Sequence, residues 1–229
     1  DKINLLKLIE IFNSDHFKSN PFLYFDHLIC IVKETRVNQI EFDETNLKEN
    51  ISTQYIFNKT EKLLQNSFEG NSLVFSVLLI LEISKLSLDS EIVISSNPLN
   101  QSGSSKNEIC DIDIFDNSKN YLLGVEVKDK NFNETDVDHA VSKVRNFKHS
   151  RMIFLCKSLD QYKGEKKITD LLKNYEKSGF DLSITDFKNF LNISLILKQN
   201  LKKTQIISIL NKHLKKTNSP IIFVKYLEN

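Results

Sequence analysis

Two short runs decide how this chain folds: Asp111-Ile112-Asp113-Ile114 and, a little further on, Gly124-Val125-Glu126-Val127-Lys128. Side chains alternate between the two sides of an extended strand. Asp111 and Asp113 therefore share one face of the first strand, and Ile112 and Ile114 take the opposite, core-facing side. On the second strand Glu126 and Lys128 share a face, while Leu123, Val125 and Val127 share the other. Residues 116–120 between the runs are rich in Asp, Asn and Ser, which marks a turn. If the strands pair through that turn, both polar faces lie on the same side.

Such a hairpin gathers carboxylates and one ammonium over an apolar sheet. Carboxylates crowded together without cations repel each other, and a divalent metal relieves this. Asp113 and Glu126, with Asp111 as the competing first acid, offer hard oxygen ligands of the kind that suits Mg²⁺. Such an ion lowers the pKa of a bound water and polarises a phosphate. Lys128 would stabilise charge developing on that phosphate, or orient the attacking hydroxide. Glu-x-Lys alone is a weak signal, because surface strands often carry it as solvated charge. Here the acids sit inside apolar runs, and acid, spacer and Glu-x-Lys follow in order.

The run Asp-Ile-Asp-Ile, a short turn, Gly-Val-Glu-Val-Lys-Asp-Lys and a helix starting near Asp136 together resemble the PD-(D/E)XK nuclease superfamily. Glu126-Val127-Lys128-Asp129-Lys130 with Asp136-Val137-Asp138-His139-Ala140 resembles, more narrowly, SacI-type restriction endonucleases. The resemblance covers about residues 72–200, and it is looser from Gly179-Phe180-Asp181-Leu182 onward. It implies a restriction-endonuclease-like fold and a type II enzyme that hydrolyses double-stranded DNA with Mg²⁺, as a homodimer matched to a palindromic site. The motif's acids fall on Asp113 and Glu126 and its lysine on Lys128. Ile112 stands where the superfamily has proline, which leaves the choice between Asp111 and Asp113 open. Glu82 resembles the accessory acid that some members place near the metal, and Lys143 the polar helix residue that supports the site. A repair or junction-resolving nuclease on the same fold, and a catalytically silent DNA-binding module, are the alternatives.

Outward from the hairpin, 71–87 is apolar nearly all round and predicts a buried helix. Residues 91–95 form a short β-like run. The Asn-, Ser- and Gly-rich stretch 97–107 predicts an exposed loop, whose Asn and Gln residues either connect elements or read bases. Downstream come a helix over 136–148, a strand over 152–156, a helix over 168–177 stopped by Gly179, and a strand over 182–186. Two helices over 187–216 and a last strand over 220–226 follow. The pattern is α/β: a central mixed sheet flanked by helices, with a mainly helical N-terminal part. Residues 1–70 make up that part and 71–229 the nuclease domain. From His139 to Arg151 every ionisable side chain is basic, so Arg145, Lys148 and Arg151 are candidate phosphate contacts. Lys198 to Lys216 is a second acid-free basic stretch, either a phosphate-contacting surface or a solvated helix back.

The chain has 229 residues, 40% hydrophobic and 27% charged, with a net charge of +1, an ordinary globular mix in which only a local basic face could serve nucleic acid. Its three cysteines, Cys30, Cys110 and Cys156, form no metal-binding pattern and fit reduced, buried thiols in a cytoplasmic protein. No run is long and apolar enough for a membrane span.

Overall fold

The computed structural model describes residues 50–65, 71–88, 91–96, 109–194 and 200–216. All of them fall within one compact unit, residues 41–229. The predicted loop 97–107, the last strand 220–226 and most of the N-terminal part lie outside the described residues.

The central sheet has five strands in the order β2-β3-β4-β5-β6. These are β2 (Val93–Ser96), β3 (Ile112–Phe115), β4 (Tyr121–Lys128), β5 (Arg151–Cys156) and β6 (Asp181–Asp186). β2, β3 and β4 run antiparallel, and β5 and β6 continue parallel to β4. The sheet is therefore mixed, as expected. The β3–β4 turn is fastened by Asp116, whose carboxylate accepts from the Asn120 backbone N–H and side-chain amide at 2.7 and 2.8 Å. Lys119 there adopts φ +65°.

One face of the sheet packs on α2 (Asn71–Ser87) and α5 (Phe187–Ser194). Leu73, Val77, Leu78 and Ile80 of α2 meet Ile112, Ile114, Val125 and Leu155 in a single apolar cluster. The opposite face carries α3 (Glu134–Asn146) and α4 (Ile168–Lys177). Val137, Ala140, Val141 and Val144 of α3 pack with Met152, Phe154, Cys156 and Leu171. The hairpin's predicted division into an apolar and a polar side is thus present, but the polar side is no open surface, because α3 roofs it. Gly179, at φ +71°, ends α4 as the sequence implies.

Two features differ from the sequence expectation. The segment 109–111 before β3 is not strand but a bend, because Asp113 draws the Ile109 and Cys110 backbone N–H groups onto its own carboxylate. Asn50–Ser52 (β1) pairs with Asn200–Lys202 (β7) in a small two-stranded sheet. β1 leads into α1 (Thr53–Leu63) and β7 into α6 (Lys203–Lys216). Ser52 caps α1, its hydroxyl accepting from Tyr55 N–H.

Candidate active site

The β3–β4 register places Ile112 opposite Val125 and Asp113 opposite Gly124. In the bend just before β3, Asp111 is tied to β4 by the Val127 N–H and lies near enough to Glu126 to feel its charge. Asp111, Asp113, Glu126 and Lys128 accordingly share the α3-facing side of the sheet. The three groups on which the sequence reading depends are not split between faces.

The two candidate first acids differ sharply. Asp113 is buried, and its two oxygens accept backbone N–H bonds from Ile109 and Cys110 at 3.1 Å each. Asp111 accepts from Val127 N–H at 2.8 Å through Oδ2. Burial pushes the Asp111 carboxyl up to about 7, the nearby Glu126 charge adds to this, and the Val127 hydrogen bond and Lys143 oppose it. Glu126 takes Lys143 Nζ on Oε1 at 3.1 Å, while Oε2 is buried without a hydrogen-bond partner. Burial alone would push the Lys143 ammonium down, but the Glu126 and Asp111 charges outweigh it and raise its pKa.

Lys128 does not bond Glu126. Its Nζ donates to Asp136 Oδ1 at 2.7 Å. Asp136 is the third residue of α3, and its Oδ2 accepts from Asn133 N–H while Asn133 Oδ1 accepts from Asp136 N–H, a reciprocal cap. The bond from Lys128 holds the Asp136 carboxyl below its usual range. The sequence reading gives Asp136 no partner. The Asn-x-x-Asp spacing ahead of an apolar helix was the available signal for its cap, but the partnership with Lys128 is tertiary.

Beside the acids, Gly124 leaves room for the Tyr121 hydroxyl and the Cys110 sulfur, which a Cβ at this position would strike. Cys110 and Cys156 are both buried and neither forms a disulfide, and burial raises the pKa of each thiol.

Other predicted residues lie apart. Glu82 is buried on α2, but its partners come from α6: Lys212 Nζ at 2.5 Å and His213 Nε2 at 2.7 Å. His213 Nδ1 in turn lies 3.2 Å from Ser96 Oγ. Burial would raise the Glu82 carboxyl, yet the His213 and Lys212 hydrogen bonds hold it down at about 2. Glu82 is thus a tie between α2, α6 and β2 and does not join the hairpin acids. Arg145 lies over the Tyr175 and Phe180 rings and donates to Ser178 Oγ at 2.6 Å. Arg151 pairs with Asp181 at 2.8 Å. It opens β5, whereas Lys128 sits opposite Cys156 at the other end, roughly 16 Å away at ~3.3 Å per residue. Lys148 is exposed, at φ +63°. None of these three basic residues is brought to the acids.

Among the described residues no three or more His, Cys, Asp or Glu side chains stand ready as a metal cluster. In the expected trio of Asp111, Asp113 and Glu126, both Asp113 oxygens accept backbone N–H groups and Lys143 holds one Glu126 oxygen. Two carboxylates, Asp111 and Glu126, are what a Mg²⁺ ion needs from the protein when water and substrate phosphate supply the rest. The bare Glu126 Oε2, and an Asp111 carboxyl raised by burial and then by the Glu126 charge, fit that ion.

The class defined by this architecture is the α/β restriction-endonuclease-like fold, a mixed five-stranded sheet between helical layers with an acid-bearing hairpin at its centre. Residues 48–157 match the family model of the SacI restriction endonuclease C-terminal domain. The match bears out the resemblance to SacI-type restriction endonucleases, and it spans the elements from β1 to β5 and every candidate residue from Glu82 to Arg151. The looser likeness around Gly179 lies outside it. No curated protein matches the chain. No helix among the described residues is long and apolar enough to cross a membrane.

Proposed function

We propose that the chain is a Mg²⁺-dependent endonuclease of the PD-(D/E)XK type that hydrolyses double-stranded DNA at a specific sequence, as a type II restriction enzyme. The observation that carries this reading is the pairing of Asp111 with Glu126 on one sheet face, where Glu126 keeps a buried oxygen with no partner. The match to a restriction endonuclease domain supports it.

Asp111 and Glu126 would hold the metal, and Asp113 would shape the bend that presents Asp111. The ion, when bound, supplies a water of lowered pKa and an electrophile for the scissile phosphate. Lys128 then faces the developing phosphate charge. Lys143 neutralises Glu126 when no metal is present and is free to meet a phosphate when one is. Action as a homodimer on a two-fold site, in the cytoplasm where Cys110 and Cys156 stay reduced, completes the proposal.

The test is digestion of a plasmid of known sequence with Mg²⁺, with the ends mapped. Discrete fragments with one defined end sequence are the expected result. Nicking confined to branched or damaged DNA would replace site specificity with a repair role. Binding of DNA without any cleavage would leave only a DNA-binding module.

A further inference from the structure

Lys128 has a choice of carboxylates, and the structure shows which one it takes. Glu126 and Lys128 lie on the same side of β4, two residues and so about 6.6 Å apart along the strand. Glu126 Oε2 is buried and unpartnered, an attractive seat for an ammonium in a poorly solvated place. A second lysine settled there, beside the Lys143 that already holds Oε1, would occupy the one oxygen left for a metal. The Lys128 ammonium instead lies 2.7 Å from Asp136. Asp136 cannot easily follow it elsewhere, since its other oxygen is fixed by Asn133 N–H at the start of α3.

We propose that Asp136 is the positioning residue for Lys128, holding its ammonium at the first turn of α3 so that Glu126 Oε2 stays open to a divalent cation. Asp136 touches neither the metal nor the DNA in this scheme and acts only through Lys128. The inference rests on the reading of the hairpin as a Mg²⁺ centre and adds a residue to it.

Calorimetric titration of the full chain with Mg²⁺ tests it without any cleavage assay. In Asp136→Asn the amide oxygen still accepts from Asn133 N–H, so the helix cap survives while the charge is lost. Lys128 then moves to Glu126, and Mg²⁺ binding weakens by about tenfold or more. Adding Lys128→Met to the same protein removes the competing ammonium and restores the affinity. Both variants carry the same cap, so a general loss of stability would affect them alike. Unchanged Mg²⁺ affinity in Asp136→Asn, or equal weakness in the double variant, overturns the proposal while wild-type binding keeps the nuclease reading intact. A wild-type chain that neither takes up Mg²⁺ nor cuts DNA removes the nuclease reading, and this inference with it.

Discussion

Two polar clusters flank the sheet of this protein, built from the same kinds of residue and left in opposite states. Behind the sheet, Glu82 sits among Lys212, His213 and Ser96, and its carboxyl is held down at about 2. In front, burial and Glu126 push Asp111 up to about 7, and Glu126 has an oxygen without a partner. Burial penalises both acids, and only the rear one has enough donors to reverse the sign. A carboxylate whose needs are met stabilises the fold. One left short stores electrostatic tension that something absent from the chain can release. That contrast separates the structural acid from the candidate functional ones better than sequence motif does, since Glu82 stood among the site candidates.

The comparison can be broken by substitution. Lys128→Ala or Glu126→Gln is expected to lower Mg²⁺-dependent cleavage by about 10²- to 10³-fold with little change in unfolding midpoint, measured by initial rates on a single-site plasmid. Full activity in either variant ends the functional reading of the front cluster. Glu82→Gln should do the reverse. It removes the carboxylate that the Lys212 ammonium and the buried His213 ring both meet, and lowers stability by about 3 kcal/mol in urea titration, with the rate per folded molecule preserved.

Asp113→Asn falls between these. It loses one of two backbone acceptors in the bend and should cost about 1–3 kcal/mol, and cleavage falls with it as Asp111 loosens. Asp111→Asn sharpens the contrast by its sign. The Asp111 pKa is raised in the folded state, so the folded chain binds more protons than the unfolded one between about pH 4 and pH 7. Metal-free stability therefore drops as pH rises through that window. The Asn variant escapes the drop and should melt higher than wild type at pH 8, by on the order of 1 kcal/mol, with the advantage gone at pH 4. A variant less stable at pH 8 would show that the front cluster is not under tension. Smallest of all, Arg151→Ala should change stability by under about 1 kcal/mol, because that pair is mostly exposed, at 63% and 61%.

The hairpin was legible because strand alternation is a local rule: Ile112, Ile114, Val125 and Val127 on one side dictate where Asp111, Asp113, Glu126 and Lys128 go. The turn at 116–120 and the stop at Gly179 were legible for the same reason, as their residues carry their own backbone preferences. What escaped was non-local. The bend at 109–111 arises from a side chain capturing main-chain donors, and it is what distinguishes Asp111 from Asp113. The partners of Glu82 lie 130 and 131 residues away. β1 and β7 have three residues each, too few for any periodicity to register. The basic run from His139 to Arg151 looked uniform because composition is blind to direction. On the helix, Lys143 turns inward to Glu126 while Arg145 turns to the aromatic rings beside α4.

Helix α3 grips the sheet at two charged points, Asp136 near its start and Lys143 seven residues later, about 10.5 Å along its axis. Its Asp136 end takes hold of Lys128, and its Lys143 end takes hold of Glu126. The rod and the strand thus form a four-charge lattice with positive and negative teeth in alternation. A slide of the rod along its length would strain both teeth at once, and a rotation about its axis would unseat both at once. The spacing of the two bonds thereby works as a ruler, which ties the Glu126 and Lys128 side chains to one rigid helix and not to two independent rotamers.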